Sequence, residues 1–251
     1  MPKRSIRFIY ISISGLFALL LPAVALSQTV APPVVEYQQK ADGQFTLTNN
    51  SLSAYVVVLE PKSFSINQDG KDIFRPLDPG IHLKLSSMSI KLLPKQSYNV
   101  FYSVQSDTLP AWFTIYSTFS LQQRGPGINL RIMLPHTVYL YQKKPLAKDA
   151  VKLTNPIYDP DKKLVSFDIE NLSSAYGRVR GATASIGHET VEMGGFPLLP
   201  SSPRHVQATW TGKEPPQQVH LHFDNFDLTQ PIVLQESAPP ATTQPSPTPQ
   251  Q

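Results

Sequence analysis

The 251 residues include 25 prolines and 12 glycines, no cysteine, and 22 basic against 18 acidic side chains. Without thiols there can be no disulfide framework and no cysteine nucleophile, so the fold must stand on apolar burial alone. The formal charge of +4 is no argument for a nucleic-acid or anionic-lipid partner: Lys3, Arg4 and Arg7 lie in an N-terminal leader whose loss leaves about +1, and five clustered basic residues occur nowhere.

The leader comes first in the chain. After the basic residues, 8–21 form an apolar stretch, and Pro22 precedes Ala23-Val24-Ala25-Leu26-Ser27. This is the order of a secretory signal peptide. The stretch is shorter than the roughly 20 apolar residues that a membrane span requires. Ala23/Ala25 and Ala25/Ser27 both satisfy the small-x-small rule, so cleavage after Ala25 or after Ser27 is expected. An exported chain without disulfides fits a bacterial envelope at least as well as a eukaryotic secretome.

From residue 28 onward the pattern has a period of two. Phe45 and Leu47 alternate with Thr46 and Thr48. Tyr98, Val100, Tyr102 and Val104 form a second run, and Phe113, Ile115, Ser117 and Phe119 a third. Ile128, Leu130, Ile132 and Leu134 form a fourth, and Val165, Phe167 and Ile169 a fifth. Such alternation in β-branched and aromatic residues predicts strands, and no segment of helical spacing follows Gln28. Turn signals recur at short intervals, among them Asp69-Gly70, Pro79-Gly80, Pro94, Pro110, Gly125-Pro126-Gly127 and Asp159-Pro160-Asp161. The fold class expected is all-β, with two immunoglobulin-like sandwiches in tandem. A boundary is placed at Lys143-Lys144-Pro145. The domains expected are a leader over 1–27, sandwiches over 28–144 and 145–236, and a tail over 237–251. The tail holds five prolines, no charge and no aromatic residue, a composition that cannot bury a core. Both sandwiches carry an apolar strand that ends in an asparagine-rich turn, at Asn49-Asn50-Ser51 and at Asn171-Leu172-Ser173. These triplets also match the glycosylation sequon, a match common by chance.

Signals for chemistry are weak. No nucleophile elbow or phosphate-binding glycine loop occurs, and no cofactor is implied. His220-Leu221-His222 places two imidazoles on one strand face, which is too few for a metal site. Trp112 fits a core position better than a sugar platform. An enzyme has no support in these residues.

Several segments, in their order, resemble the PapD-like periplasmic chaperones of pilus assembly. The run Ile128-Asn129-Leu130-Arg131-Ile132-Met133-Leu134, with the following Tyr139-Leu140-Tyr141-Gln142-Lys143-Lys144-Pro145, is similar to the last strand of that family's first domain. Phe45-Thr46-Leu47-Thr48-Asn49 resembles its second strand. Ile90-Lys91-Leu92-Leu93-Pro94-Lys95-Gln96-Ser97 and Leu109-Pro110-Ala111-Trp112-Phe113 resemble later segments. Gly194-Gly195-Phe196-Pro197-Leu198-Leu199-Pro200 resembles a segment of its second domain. The likeness spans most of residues 31–235.

The resemblance implies a chaperone that lends a strand to an incomplete pilin-like subunit, with an outer-membrane usher as a further partner and no small-molecule substrate. It implies Ile128, Leu130, Ile132 and Leu134 as the subunit-binding donor residues, although without the resemblance the alternation favours a core stripe. The family also holds the subunit's terminal carboxylate with an arginine and a lysine. Those positions fall near Pro33 and on Tyr139 here, and neither residue can form the ion pair; Lys40, Arg131, Lys143 and Lys144 are nearby but unmatched. The rival expectation is a structural or adhesive envelope protein built of two sandwiches. The leader gives the first testable outcome: exported protein should begin at Leu26 or Gln28 by intact mass, and retention of residues 1–27 in the membrane fraction would overturn that expectation.

Overall fold

The structure, a computed structural model, describes residues 28–121 and 131–235. The expected leader and tail, and the expected donor residues Ile128 and Leu130, lie outside the described residues. Those that are described form β1 (Gln28–Ala31), β2 (Val34–Gln38), β3 (Lys40–Asn49), β4 (Tyr55–Ile66), β5 (Asp72–Pro76), β6 (Ile81–Leu85), β7 (Ser89–Leu92), β8 (Ser97–Ser106), β9 (Ala111–Leu121) and β10 (Arg131–Tyr141). A single 3₁₀ turn at Lys148–Ala150 follows. Then come β11 (Val151–Asp159), β12 (Leu164–Asn171), β13 (Gly177–Ile186), β14 (Glu189–Leu198), β15 (Arg204–Thr209), β16 (Gln218–His222), β17 (Asp227–Pro231) and β18 (Val233–Leu234).

The protein is all-β, as its periodicity requires. One sheet runs β1-β3-β8-β6 and faces a second, β2-β10-β9-β4-β5, with β7 also on β4. Between them the alternating side chains Phe45, Leu47, Val100, Phe113, Ile115 and Phe119 are buried. The remaining strands make the sheets β15-β12-β11-β18 and β14-β13-β16-β17. These close on Val165, Phe167, Ile169, Val179, Val219 and Trp210. A strand's side chains alternate between its faces, so each apolar stripe has one sheet face to fill.

The two asparagine turns are built alike. Asn49 and Asn171 each end a strand, and both are fully buried. The Asn49 amide donates to the carbonyls of Ser53 and Leu93, and its side-chain oxygen accepts from the backbone N–H and hydroxyl of Ser51. Asn171 repeats this with the carbonyls of Ala175 and Leu198 and with Ser173. Each side chain thus satisfies backbone groups that a turn would otherwise leave buried and unpaired. With both amides occupied in the interior, neither asparagine is a glycan acceptor in the folded protein.

The second sandwich touches the first through an apolar cluster of Phe64, Tyr139, Tyr176 and Leu199, with Trp112 packed against it. The Trp112 indole N–H donates to the Phe64 carbonyl at 2.7 Å, so this tryptophan lines a junction and is no exposed platform. The tip of the β4–β5 hairpin adds backbone contacts: His205 N–H donates to the Gln68 carbonyl at 2.7 Å, and the Ser202 hydroxyl to that of Ile66 at 3.1 Å. Asp159, Pro160 and Asp161 do form a turn, with Asp159 Oδ1 accepting from the N–H groups of Asp161 and Lys162. Asn49→Ala and Asn171→Ala should each cost about 1–3 kcal/mol, because each leaves buried carbonyls without donors; urea unfolding of the two variants measures it.

Candidate strand-binding edge and interdomain cleft

Strand β10 is paired unequally on its two sides. Against β9 the ladder runs without a break from Arg131 to Leu140. On its other side β2 covers only Thr137 to Tyr141, in parallel. Residues 131–136 therefore have one side without a strand among the described residues.

The direction of the backbone groups follows from the bonds that are made. Thr137 N–H donates to the Pro33 carbonyl, and the Tyr141 carbonyl accepts from Gln39 N–H, both at 2.8 Å. A residue's N–H and C=O point to the same side of its strand and alternate along it. Arg131 and Met133 therefore present both groups on the open side. Pro135 presents only a carbonyl there, the place where a sheet tolerates proline.

Ile132 and Leu134 point the other way round the pleat. They share one face, are half-buried, and pack against the N-terminal core at its rim. They are less enclosed than Val138 and Leu140, which continue the same stripe and are fully buried. Met133, on the opposite face, is 57% exposed. The structure thus brings two of the four expected donor residues to the start of an open edge.

Further along β10, Tyr139 lies at the junction of the domains. Its ring stacks on Tyr176 at 5.1 Å, and the Arg178 guanidinium sits 5.1 Å from its centroid. The residue opposite Tyr139 in β2 is Glu36. Pro33, where the family's arginine was expected, is taken up with Thr137 at the other end of that ladder. The Glu36 carboxylate instead faces the second domain. It accepts from the Tyr176 hydroxyl at 2.7 Å, from Arg178 Nε, and from Arg180 Nη2 at 2.8 Å. Arg180 also donates to both oxygens of Asp224, at 2.7 and 2.9 Å. Two guanidiniums are thereby matched by two carboxylates. The Gln142 side chain ties the same segment, accepting from Tyr176 N–H and donating to its carbonyl.

Burial alone would raise the pKa of Glu36, but the bonds from Tyr176 and Arg178, the Arg178 charge and the bond from Arg180 outweigh it and hold the carboxyl below its usual range. Burial pushes the phenol of Tyr139 up to about 12 and that of Tyr176 higher still. Both rings are neutral at physiological pH. This cluster was not found from the sequence. Its one local signal was Arg178-Val179-Arg180, two arginines on one face flanking a buried valine.

His222 Nδ1 lies 2.7 Å from Asp227, and His220 Nδ1 lies 3.0 Å from the Thr229 hydroxyl. No group of three potential ligands that could hold a metal occurs among the described residues.

No protein-family model matches the chain, and no curated protein matches it by sequence. Solved structures do match. The class 5 fimbriae chaperone CfaA aligns with a TM-score of 0.50 at 10% identity, over 82% of this chain and 99% of that one. The YadV chaperone aligns with a TM-score of 0.50 at 10% identity, over 81% and 98%. The Salmonella enterica SafA pilin in complex with the SafB chaperone gives a TM-score of 0.53 at 12% identity, over 82% and 96%. The chain has the fold of the fimbrial chaperones, two sandwiches over nearly the full length of those proteins.

The interdomain carboxylate yields a pH dependence. A carboxyl with a depressed pKa binds fewer protons folded than unfolded, so its contribution is present above its ordinary value of about 4.3 and is lost as pH falls through the folded value. Glu36→Gln should be less stable than wild type at pH 7, and the difference should shrink below about pH 4. Thermal melts of both proteins across this window measure it.

Proposed function

We propose that this protein is a periplasmic chaperone that binds pilin-like subunits by strand addition along the open edge of β10. The observation that carries the proposal is the unpaired stretch 131–136, whose half-buried Ile132 and Leu134 stand at the rim of the sandwich. The fold shared with CfaA, YadV and the SafB complex supports it. By sequence, the same alternation extends upstream through Leu130 to Ile128, and the proposed donor set is Ile128, Leu130, Ile132 and Leu134. The N-terminal leader supplies export, and an usher is the proposed recipient of the bound subunit.

The magnitudes assign different jobs to backbone and side chains. Each added main-chain hydrogen bond has a net worth of about 0.5–1.5 kcal/mol. Each apolar side chain taken out of water contributes about 1.5–3 kcal/mol when fully buried. A few edge groups therefore fix direction and register, while the alternating side chains supply most of the affinity. The Glu36 carboxylate occupies Arg178 and Arg180, so in this proposal the subunit is held by the strand edge and not by an ion pair at Pro33 and Tyr139.

Met133→Pro separates the edge from the core. The N–H it removes points away from β9, so the sandwich should keep its ladder while strand capture weakens. Ile132→Ala and Leu134→Ala should cost less stability than the 2–5 kcal/mol of a fully buried site, yet reduce capture about tenfold or more. Urea midpoints and subunit recovered from envelope extract are the paired measurements. Core-like destabilisation with no subunit recovered by any form, wild type included, would replace this proposal with a structural envelope protein.

A further inference from the structure

The open edge exists because the N-terminal strand leaves it. Strand β1 pairs antiparallel with β3 in the first sheet, and after Pro32-Pro33 the chain enters the second sheet as β2. The β2–β10 register sets Val34 opposite Thr137. Carried straight back, the same register would lay Gln28–Ala31 along residues 131–134. β1 thus has the length and the place to cover the edge. Its backbone would also serve. Pro33 and Gln39 show that the odd residues of this segment face β10, so Thr29 and Ala31, which are not prolines, would face it too.

Two features oppose this closure. The first is the side-chain pattern. In the first sheet Val30 packs on the core and Gln28 is buried, while Thr29 and Ala31 look outward. Moving β1 to β10 would reverse these faces, because alternate residues exchange sides.

The second is His136, the last residue of the open stretch. It is fully buried, with its ring stacked on Phe45 at a centroid distance of 4.5 Å. Its Nδ1 lies 2.7 Å from the Pro32 carbonyl, and its Nε2 lies 3.1 Å from the Tyr102 hydroxyl. A carbonyl only accepts, so Nδ1 carries the proton, and the bare Nε2 faces the Tyr102 hydroxyl. The Tyr37 hydroxyl stands 3.2 Å beyond. Gly43 leaves room for this row: a Cβ there would come within 2.5 Å of the Tyr102 ring and 2.7 Å of the Tyr37 hydroxyl. Burial lowers the His136 pKa more than the Pro32 bond raises it, which keeps the ring neutral.

We infer that His136 is a positioning residue: by holding the Pro32 carbonyl at the crossover it keeps β1 in the first sheet, and without it β1 covers the edge at residues 131–134. The consequence for partner capture rests on the function proposed above; the position of β1 does not. The residue acts through the crossover and touches no partner.

The test uses His136→Phe, which keeps the aromatic stack and removes both hydrogen bonds. In wild type the amides of Arg131 and Met133 should exchange with solvent deuterium at open-edge rates. In His136→Phe that of Met133, whose N–H would then meet the Thr29 carbonyl, should slow by about tenfold or more, while Thr46 and Thr48, whose N–H groups face β1, lose protection. The chain has no cysteine, so a disulfide can pin β1 without competing thiols. Thr29→Cys with Thr48→Cys joins residues paired in the β1–β3 register. In the His136→Phe background the oxidised form should regain open-edge exchange and the reduced form should lose it. This pair also serves if His136→Phe folds only when pinned, since reduction then either protects the edge or unfolds the whole domain. Unchanged exchange at Met133 in a folded variant, or global unfolding on reduction, overturns the inference. Exchange that shifts as stated, together with a wild type that captures no subunit, upholds the role of His136 and refutes the proposed function instead.

Discussion

One constraint organises this molecule: the N-terminal strand cannot serve both sheets along its whole length. It fills the edge of the first sheet with β1, crosses at Pro32-Pro33, and reaches only the second half of β10. The unpaired first half would ordinarily be a liability, since an open strand edge templates association with other chains. Here the exposure is limited by several local means. The stretch is short, Pro135 withholds one donor, Arg131 sets a charge at the start of β10, and His136 anchors the crossover. The edge is therefore accessible without being an unrestricted template.

The other half of β10 is used quite differently. Tyr139 turns from a sheet position into a joint between domains, stacked on Tyr176 beneath Arg178. A carboxylate and a guanidinium taken from water each carry a large desolvation cost, which only good geometry offsets. Glu36 meets that condition with three donors, and Arg180 is shared with Asp224. Arg178 Nη2 is left buried with no partner, as is Arg204 Nε on the same junction. What the pairing does accomplish is registry: a directional bridge fixes how the second sandwich sits on the first, which an apolar cluster alone would do less specifically.

Stability without disulfides is carried by two separate cores and by hydrogen bonds placed where turns would leave backbone groups unpaired. The repetition of the Asn49 arrangement at Asn171 shows one solution applied twice, in sandwiches whose sequences otherwise share little. A single buried amide in each closes a turn against two carbonyls. Asparagine suits this because it donates twice and accepts at the same site, which neither serine nor aspartate can do.

The sequence by itself determined the all-β class, because a period of two in runs such as Phe113, Ile115 and Phe119 is compatible with a strand and not with a helix. It also marked Ile132 and Leu134 as members of an alternating stripe, but not whether that stripe was sealed in a core or lay along an open edge. That depended on where β2 stops, a matter of pairing between residues about a hundred positions apart. Glu36 and Arg178 were unreadable for the same reason, being separated by 142 residues. In sequence Glu36 is one acid in a short strand and Arg178 one base in another. In sequence His136 is a single histidine with no marked partner, and only the tertiary structure supplied the Pro32 carbonyl. Local pattern reports which face a side chain takes, because the backbone sets that residue by residue; which groups meet across faces is decided by the packing of whole sheets.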